Sequence, residues 1–385
     1  MHITTAMLVH TALAVFITLL APTLTLASTT MNITAVSKAS SSNKIYQWEL
    51  NSFPKSIAQL KTPLHLAANL VPGKNPFDIV LDPVAKKSKQ RVLRSIYPAG
   101  SYARSGDKHA EFTSTPLPKE AFSGPTSRYI RLEYQMLFQP NFNWVLGGKL
   151  PGILLGSESG CNAGCSGGGT AENCFSTRMM WRAKGAGELY LYAAKSVYFP
   201  KEAAETCKRS LDKRSPEALF KLEQRRINAV RIDDDEDEIS TNSTSGLSKR
   251  ASGSCLNGMG VTITRGAQNT CNPTFGISIG RGGSFKFKSG TWHNITQVVR
   301  LNSKGNAVRD GYLAIYLDGK PVIQAKDIVL LKKGYNPSNS ADNHLVKFMF
   351  SSFFGGHTSI YATPKKQWIA WKGFKMATSV KNIWK

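Results

Sequence analysis

The strongest constraint on this chain's fold is a period-two alternation. Across 129–139, Ile130, Leu132, Tyr134, Met136 and Phe138 fall on one side, while Arg131, Glu133 and Gln135 fall on the other. Successive side chains of a strand point to opposite faces, so this segment reads as a strand with one face in the core. A second alternation runs through 175–182 and 188–194 and flanks Ala183-Lys184-Gly185-Ala186-Gly187, which reads as a hairpin. After Cys271 the pattern resumes at 276–280, 283–288, 292–301, 312–317, 344–354 and 367–375. Asp318-Gly319 supplies a hairpin turn ahead of Pro321-Val322-Ile323. A first strand is expected near 94–97, closed by Pro98 and Gly100. Many short strands separated by turn signals predict an all-β chain, a jelly-roll sandwich of two antiparallel sheets.

The rest of the chain is organised around that sandwich. Residues 1–27 hold no Lys, Arg, Asp or Glu, residues 6–21 are almost wholly apolar, and Thr25-Leu26-Ala27 offers small residues for cleavage. This predicts a signal peptide over 1–27, with an uncleaved N-terminal anchor as the alternative. Residues 28–90 read as an N-terminal leader, rich in Ser and Thr at first and then mixed, ending near the basic run Lys86-Lys87-Ser88-Lys89-Gln90-Arg91. The β domain is expected over 91–380. It is interrupted by a charged insertion at 200–254 that includes Asp233-Asp234-Asp235-Glu236-Asp237-Glu238. That insertion is poor in aromatics and is expected to be helical near 215–230 and otherwise disordered. The acidic run lacks the glycine and spacing of a calcium loop and reads as a solvated charge run.

Compartment and charge narrow the partners. Six cysteines fit an oxidising route, and the sequons at Asn32, Asn242 and Asn294 agree with it. The expected localisation is therefore secreted and extracellular, with no membrane attachment after signal cleavage and a monomeric state. The formal net charge is +24. So basic a chain attracts polyanions: nucleic acid, an anionic membrane surface or an acidic polysaccharide. Outside the cell, nucleic acid falls behind the acidic polysaccharide.

The hairpin supplies candidate chemistry. Ser176, Arg178, Met180 and Arg182 share one face of its first strand, and Glu188, Tyr190 and Tyr192 share one face of its second. With the turn centred on Gly185, Arg178 would lie across from Tyr192, Met180 across from Tyr190, and Arg182 across from Glu188. Breaking a uronate chain by β-elimination removes the C5 proton, alpha to a carboxylate. That proton is weakly acidic until the carboxylate charge is neutralised, so cations and hydroxyl donors must meet it. A base then takes the proton and an acid protonates the leaving oxygen at C4. Arg and Tyr alternating on a strand also occur on any solvated sheet face.

The segments Gly147-Gly148-Lys149-Leu150-Pro151-Gly152, Cys174-Phe175-Ser176-Thr177-Arg178-Met179-Met180-Trp181-Arg182 and Gly187-Glu188-Leu189-Tyr190-Leu191-Tyr192 resemble the signature of polysaccharide lyase family 14. Ser278-Ile279-Gly280-Arg281-Gly282, Asp318-Gly319-Lys320 and Phe353-Phe354-Gly355-Gly356 are similar to it as well. The resemblance covers roughly 90–200 and 272–378, and it implies a β-jelly-roll lyase acting on alginate or polyglucuronate. It implies Lys149, Ser176, Arg178, Tyr190 and Tyr192 as the active site. Lys149, from the loop before the hairpin, and Arg178 would neutralise the carboxylate. Ser176 would hydrogen-bond it, and Tyr190 and Tyr192 would be the acid/base pair, with Tyr192 as base because it faces Arg178. The resemblance also implies a Cys165–Cys174 disulfide bracing the Gly-rich loop, and it requires no cofactor or metal. Cys161, Cys207, Cys255 and Cys271 are left to pair among themselves.

Rival signals are weaker. Gly164-Cys165-Ser166-Gly167-Gly168 matches a nucleophile elbow, but no apolar strand leads into it and no helix leads out. A glycosidase would need two carboxylates in one cleft, with Glu133 and Glu188 as candidates. A non-catalytic lectin-like module gripping an acidic wall polysaccharide is the main alternative, since jelly rolls often bind glycans without cleaving them.

Overall fold

The computed structural model describes residues 45–382, apart from 73, 86–88, 103–108, 119–120, 122–127, 157–164, 167–168, 173, 202–259, 264–267, 273–275, 336–345 and 357. The expected signal peptide, the insertion's acidic run and expected helix, and the sequons at Asn32 and Asn242 lie outside the described residues.

Two antiparallel sheets pack face to face as a jelly-roll sandwich. The first runs β2 (Phe77–Leu81), β3 (Arg91–Tyr97), β17 (Gln367–Ser379), β5 (Tyr129–Phe138), β13 (Trp292–Arg300), β14 (Gly311–Leu317), β15 (Lys320–Ile328) and β9 (Gly260–Ile263), with β1 (Ile45–Leu50) also on β17. The second runs β10 (Gln268–Asn272), β11 (Gly276–Arg281), β8 (Ala186–Tyr192), β7 (Cys174–Arg182), β6 (Gly147–Gly156), β16 (Val346–Phe354) and β4 (Ala110–Ser114), with β12 (Phe285–Lys286) on β8. The alternation at 129–139 behaves as expected: Ile130, Leu132, Tyr134, Met136 and Phe138 are fully buried between the sheets. Trp48, Trp181, Trp371 and many Phe rings fill the same layer.

Three expectations about chain organisation need correction. The leader expected over 28–90 holds two strands of the first sheet. Trp48 on β1 is fully buried, and β1 pairs with the second half of β17, from Ile45↔Ser379 to Leu50↔Phe374. The reason is the length of β17. It runs four residues beyond the expected 375, bulges between Lys372 and Lys375, and so offers a second edge. The stretch 147–156 is also no loop, but the ten-residue strand β6. Its glycines belong there because neighbouring groups crowd the backbone: a Cβ on Gly148 would lie 2.1 Å from the Trp181 ring and 2.4 Å from the Phe353 carbonyl. Finally, the segment expected over 283–288 forms only the two-residue β12.

The hairpin β7–β8 turns one residue earlier than its turn signal suggests. The turn centres on Lys184, which adopts φ 58°, followed by Gly185 at φ 77°. The register is therefore Ser176↔Tyr192, Arg178↔Tyr190 and Met180↔Glu188. Arg178 faces Tyr190, not Tyr192. A lysine in the left-handed region is uncommon for a non-glycine residue, and the glycine drew the expected centre to itself.

Candidate active site

Lys149, Ser176, Arg178, Tyr190 and Tyr192 come together on the face of β6, β7 and β8 that points away from the core. Their neighbours in sequence, Phe175, Met179, Trp181, Leu189 and Leu191, face into it. The two faces thus separate as the alternation requires.

Lys149 is aimed by a bulge. Between Lys149 and Gly152 the β6–β7 register shifts, so Leu150 and Pro151 have no ladder partner on β7. Pro151 has no N–H to give, and its carbonyl turns into the core. There it accepts from Gln297 Nε2 at 3.1 Å and from Tyr134 Oη at 3.0 Å, both on the opposite sheet. Thr177 Oγ1 donates to Gln297 Oε1 at 2.7 Å and accepts from the Ile153 N–H at 3.2 Å. This buried polar chain satisfies the groups the bulge frees, and it fixes where Lys149 leaves the strand.

On the outer face the Lys149 amine lies 4.2 Å from the Tyr190 ring centre and 3.1 Å from Met180 Sδ. The Arg178 guanidinium sits 5.5 Å from the Tyr190 ring and 6.0 Å from the Tyr192 ring. The two phenol oxygens are 3.2 Å apart. Ser176 Oγ donates to the Cys165 carbonyl. Next to this group, Arg182 Nη2 donates to Glu188 Oε1 at 2.8 Å, as its place on the same face implied. Ser278 Oγ on β11 donates to the same oxygen at 3.2 Å.

These side chains are covered: Ser176 is 0 %, Arg178 4 %, Tyr190 7 % and Tyr192 5 % exposed. Cys165, Ala171 and Cys174 pack against Met180, Tyr190 and Tyr192. The expected Cys165–Cys174 disulfide is present, with Cα atoms 5.9 Å apart, and it ties this cover to β7. Glu172 anchors the segment from its far side, accepting from the Ser196 N–H at 2.7 Å and its hydroxyl at 2.5 Å. Cys271 is disulfide-bonded as well.

Burial sets the protonation states. It pushes the Lys149 amine well below the ordinary lysine value, and the Arg178 and Arg182 charges push in the same direction against Glu188. Burial pushes the Tyr190 phenol well above its ordinary value, helped by Tyr192 and opposed by Arg178 and Arg182. Cations beside a tyrosine lower its pKa, but desolvation is the larger effect here. Glu188 is raised by burial, yet Arg182, Arg281 and Lys149 together hold it below the ordinary carboxylate value.

The two glycosidase candidates do not share a cleft: Glu188 faces outward from the second sheet, whereas Glu133 pairs with Arg131 on the first. Among the described residues, no three His, Cys, Asp or Glu side chains group as metal ligands. Sequence reasoning underused Glu188, Met180 and Ser278. Their signal was the register, which places Met180 between Lys149 and Glu188.

Comparison with known proteins bears on this arrangement directly. The model of Polysaccharide lyase 14 matches residues 85–233 and 257–374, which include all five residues of the outer-face cluster. The chain belongs to polysaccharide lyase family 14. This family membership makes the chain a polysaccharide lyase. A crystal structure of the marine PL-14 alginate lyase from Aplysia kurodai is 27 % identical with a TM-score of 0.51, covering 86 % of this chain and 98 % of that one. An alginate lyase from Chlorella virus is 18 % identical over 79 % of this chain and 90 % of its own, with a TM-score of 0.45. An endo-β-1,4-glucuronan lyase from the fungus Trichoderma reesei is 10 % identical over 86 % and 96 %, with a TM-score of 0.41. No curated protein matches the chain.

Proposed function

We propose that this lyase cleaves a uronate polymer, alginate or polyglucuronate, by β-elimination, with Lys149 as base, Tyr190 as acid and Arg178 holding the carboxylate. The observation that carries this is the contact of Lys149 and Tyr190, whose pKa values burial drives in opposite directions. An amine held below its ordinary pKa frees its lone pair at a lower pH than an ordinary lysine does, and a phenol held above its own keeps its proton to a higher pH. Arg178 remains the permanent cation. It meets the substrate carboxylate and stabilises the charge that develops when C5–H breaks. The electron pair moves into the carboxylate, then expels O4 as Tyr190 donates its proton to it, leaving a C4–C5 double bond. Lys149 ends protonated and Tyr190 ionised, and a proton must return from one to the other before the next turnover.

This assigns the base role to Lys149 instead of Tyr192, because the observed register removes the reason for Tyr192: Arg178 faces Tyr190. Tyr192 hydrogen-bonds Tyr190 and orients its hydroxyl. Ser176 holds the disulfide-linked cover rather than the carboxylate, since its hydroxyl is given to Cys165. Alginate is the first candidate substrate, on the likeness to the Aplysia kurodai enzyme. The reading includes secretion, removal of 1–27, a monomeric state and glycosylation of Asn294, whose side chain is exposed on β13. The net charge of +24 supports a polyanionic partner. No helix among the described residues is long and apolar enough to cross a membrane.

Mass spectrometry after incubation with polyglucuronate, polymannuronate and polyguluronate tests the proposal. Elimination gives non-reducing ends one water lighter than those left by hydrolysis. Such ends from at least one polymer are expected. Hydrolytic masses, or intact polymer throughout, would overturn the reading.

A further inference from the structure

Glu188 belongs to no step just described, yet its carboxylate is fully buried on the face that carries Tyr190 and Tyr192. Oε1 is shared by Arg182 and Ser278. Oε2 has no hydrogen-bond partner among the described residues. A buried, incompletely bonded carboxylate is a costly group for a fold to keep. The register suggests what keeps it. Lys149 pairs with Met180, and Met180 pairs with Glu188, so the amine and the carboxylate stand on strands two spacings apart, roughly 9.5 Å at the backbone. The charged groups facing this point from each strand are Lys149 on β6, Arg178 and Arg182 on β7, Glu188 with the two phenols on β8, and Arg281 on β11. On β16 the residue paired with Lys149 is the apolar Phe353. Glu188 is the one anion in this set.

We propose that Glu188 is a positioning residue of the elimination: a fixed buried anion that offsets Arg178, Arg182 and Arg281 and so lets the Lys149 amine accept the C5 proton. The inference rests on Lys149 as base. When C5–H breaks and N–H forms, a new positive charge appears on Lys149 among three guanidiniums. Without a compensating anion that charge is repelled. Glu188 also engages Arg182 directly, through their 2.8 Å hydrogen bond. Met180 keeps the pair apart, so they do not collapse into an ion pair that would leave Lys149 permanently protonated.

The test is the pH dependence of kcat/KM for Glu188→Gln, read from the unsaturated product. The amide keeps the shape and an acceptor for Arg182 and Ser278 but removes the charge. Its acidic limb is expected to move to lower pH, with kcat down about tenfold to a hundredfold and KM little changed. Glu188→Asp, which restores the charge, should return the limb towards the wild-type position. Arg281→Gln, on a partly exposed site, removes a cation and should move the limb the opposite way, to higher pH. The Arg281→Gln variant carries the test if Glu188→Gln does not fold. A limb that stays in place in the folded variants would overturn the proposal, even if activity or stability drops. A wild type that forms no unsaturated product would overturn the assigned function instead, so the two failures are distinguishable.

Discussion

At the residue scale, Lys149 and Tyr190 owe opposite shifts to one cause. Removing a group from water penalises its charged form, which for an amine is the protonated state and for a phenol the ionised one. The two are in contact, the phenol buried and the lysine half-buried, so the proposed base and acid stand side by side. The sign of the pH dependence follows. Lys149 acts as a base above its pKa, which is lowered, so kcat/KM should rise with pH through a limb below the ordinary lysine value of about 10.4. Tyr190 acts as an acid below its pKa, which is raised, so activity should persist beyond the ordinary phenol value of about 10. A pH–rate profile of the wild type checks both limbs. A single limb at an ordinary lysine pKa would contradict the assignment. Alternation alone put Ser176, Arg178, Tyr190 and Tyr192 on one face in the sequence, whereas Lys149 was reached only through the resemblance to the family. Their protonation states were not legible, because those depend on how deeply the face is covered. That cover comes from Cys165, Ala171 and Cys174, whose packing no local pattern announces.

At the element scale, the bulge in β6 does most to place Lys149. The glycines at 147, 148 and 152 suggested a loop, yet they serve a strand whose neighbours crowd it: a Cβ on Gly152 would fall 1.3 Å from the Thr177 carbonyl. Composition cannot separate a glycine needed for a turn from one needed for close packing, which is why this strand was missed. The missed β1 has a similar origin: its partner is the unexpectedly long end of β17, and pairing over so many residues leaves no local trace. The bulge's dependence on the opposite sheet gives a prediction. Gln297→Leu removes one donor to Pro151 and the acceptor of Thr177 while keeping the core volume close. It should cost about 1–3 kcal/mol of stability, measured by denaturant unfolding. It should also lower kcat by roughly tenfold, the equivalent of about 1.4 kcal/mol in the barrier, because Lys149 loses its fixed exit from the strand. Full activity in this variant would show that the bulge holds without the core chain.

At the scale of the whole molecule, the sandwich keeps its aromatic layer between the sheets and turns its chemistry outward on the second sheet. One strand pair does both: Trp181 and Met179 anchor it in the core, and Arg178 faces the site one residue away. The strong basic excess draws a polyanion towards the protein from a distance, while the chemistry itself depends on a few covered groups. The fold class was legible because period-two patterning repeats through most of the chain. The hairpin register was not, because a lysine in a left-handed turn moves the turn centre by one residue and every cross-strand partner by two.

The most direct test of the account is ultraviolet absorbance during incubation with alginate and with polyglucuronate, the wild type beside Tyr190→Phe. Elimination leaves a C4–C5 double bond conjugated to the carboxylate, and hydrolysis does not. Absorbance should rise with the wild type and fall by about 10²–10⁴ in rate with Tyr190→Phe, while polymer binding, measured in parallel by calorimetry, is retained. A flat trace for the wild type on both polymers, or an undiminished rate in the phenylalanine variant, would contradict it.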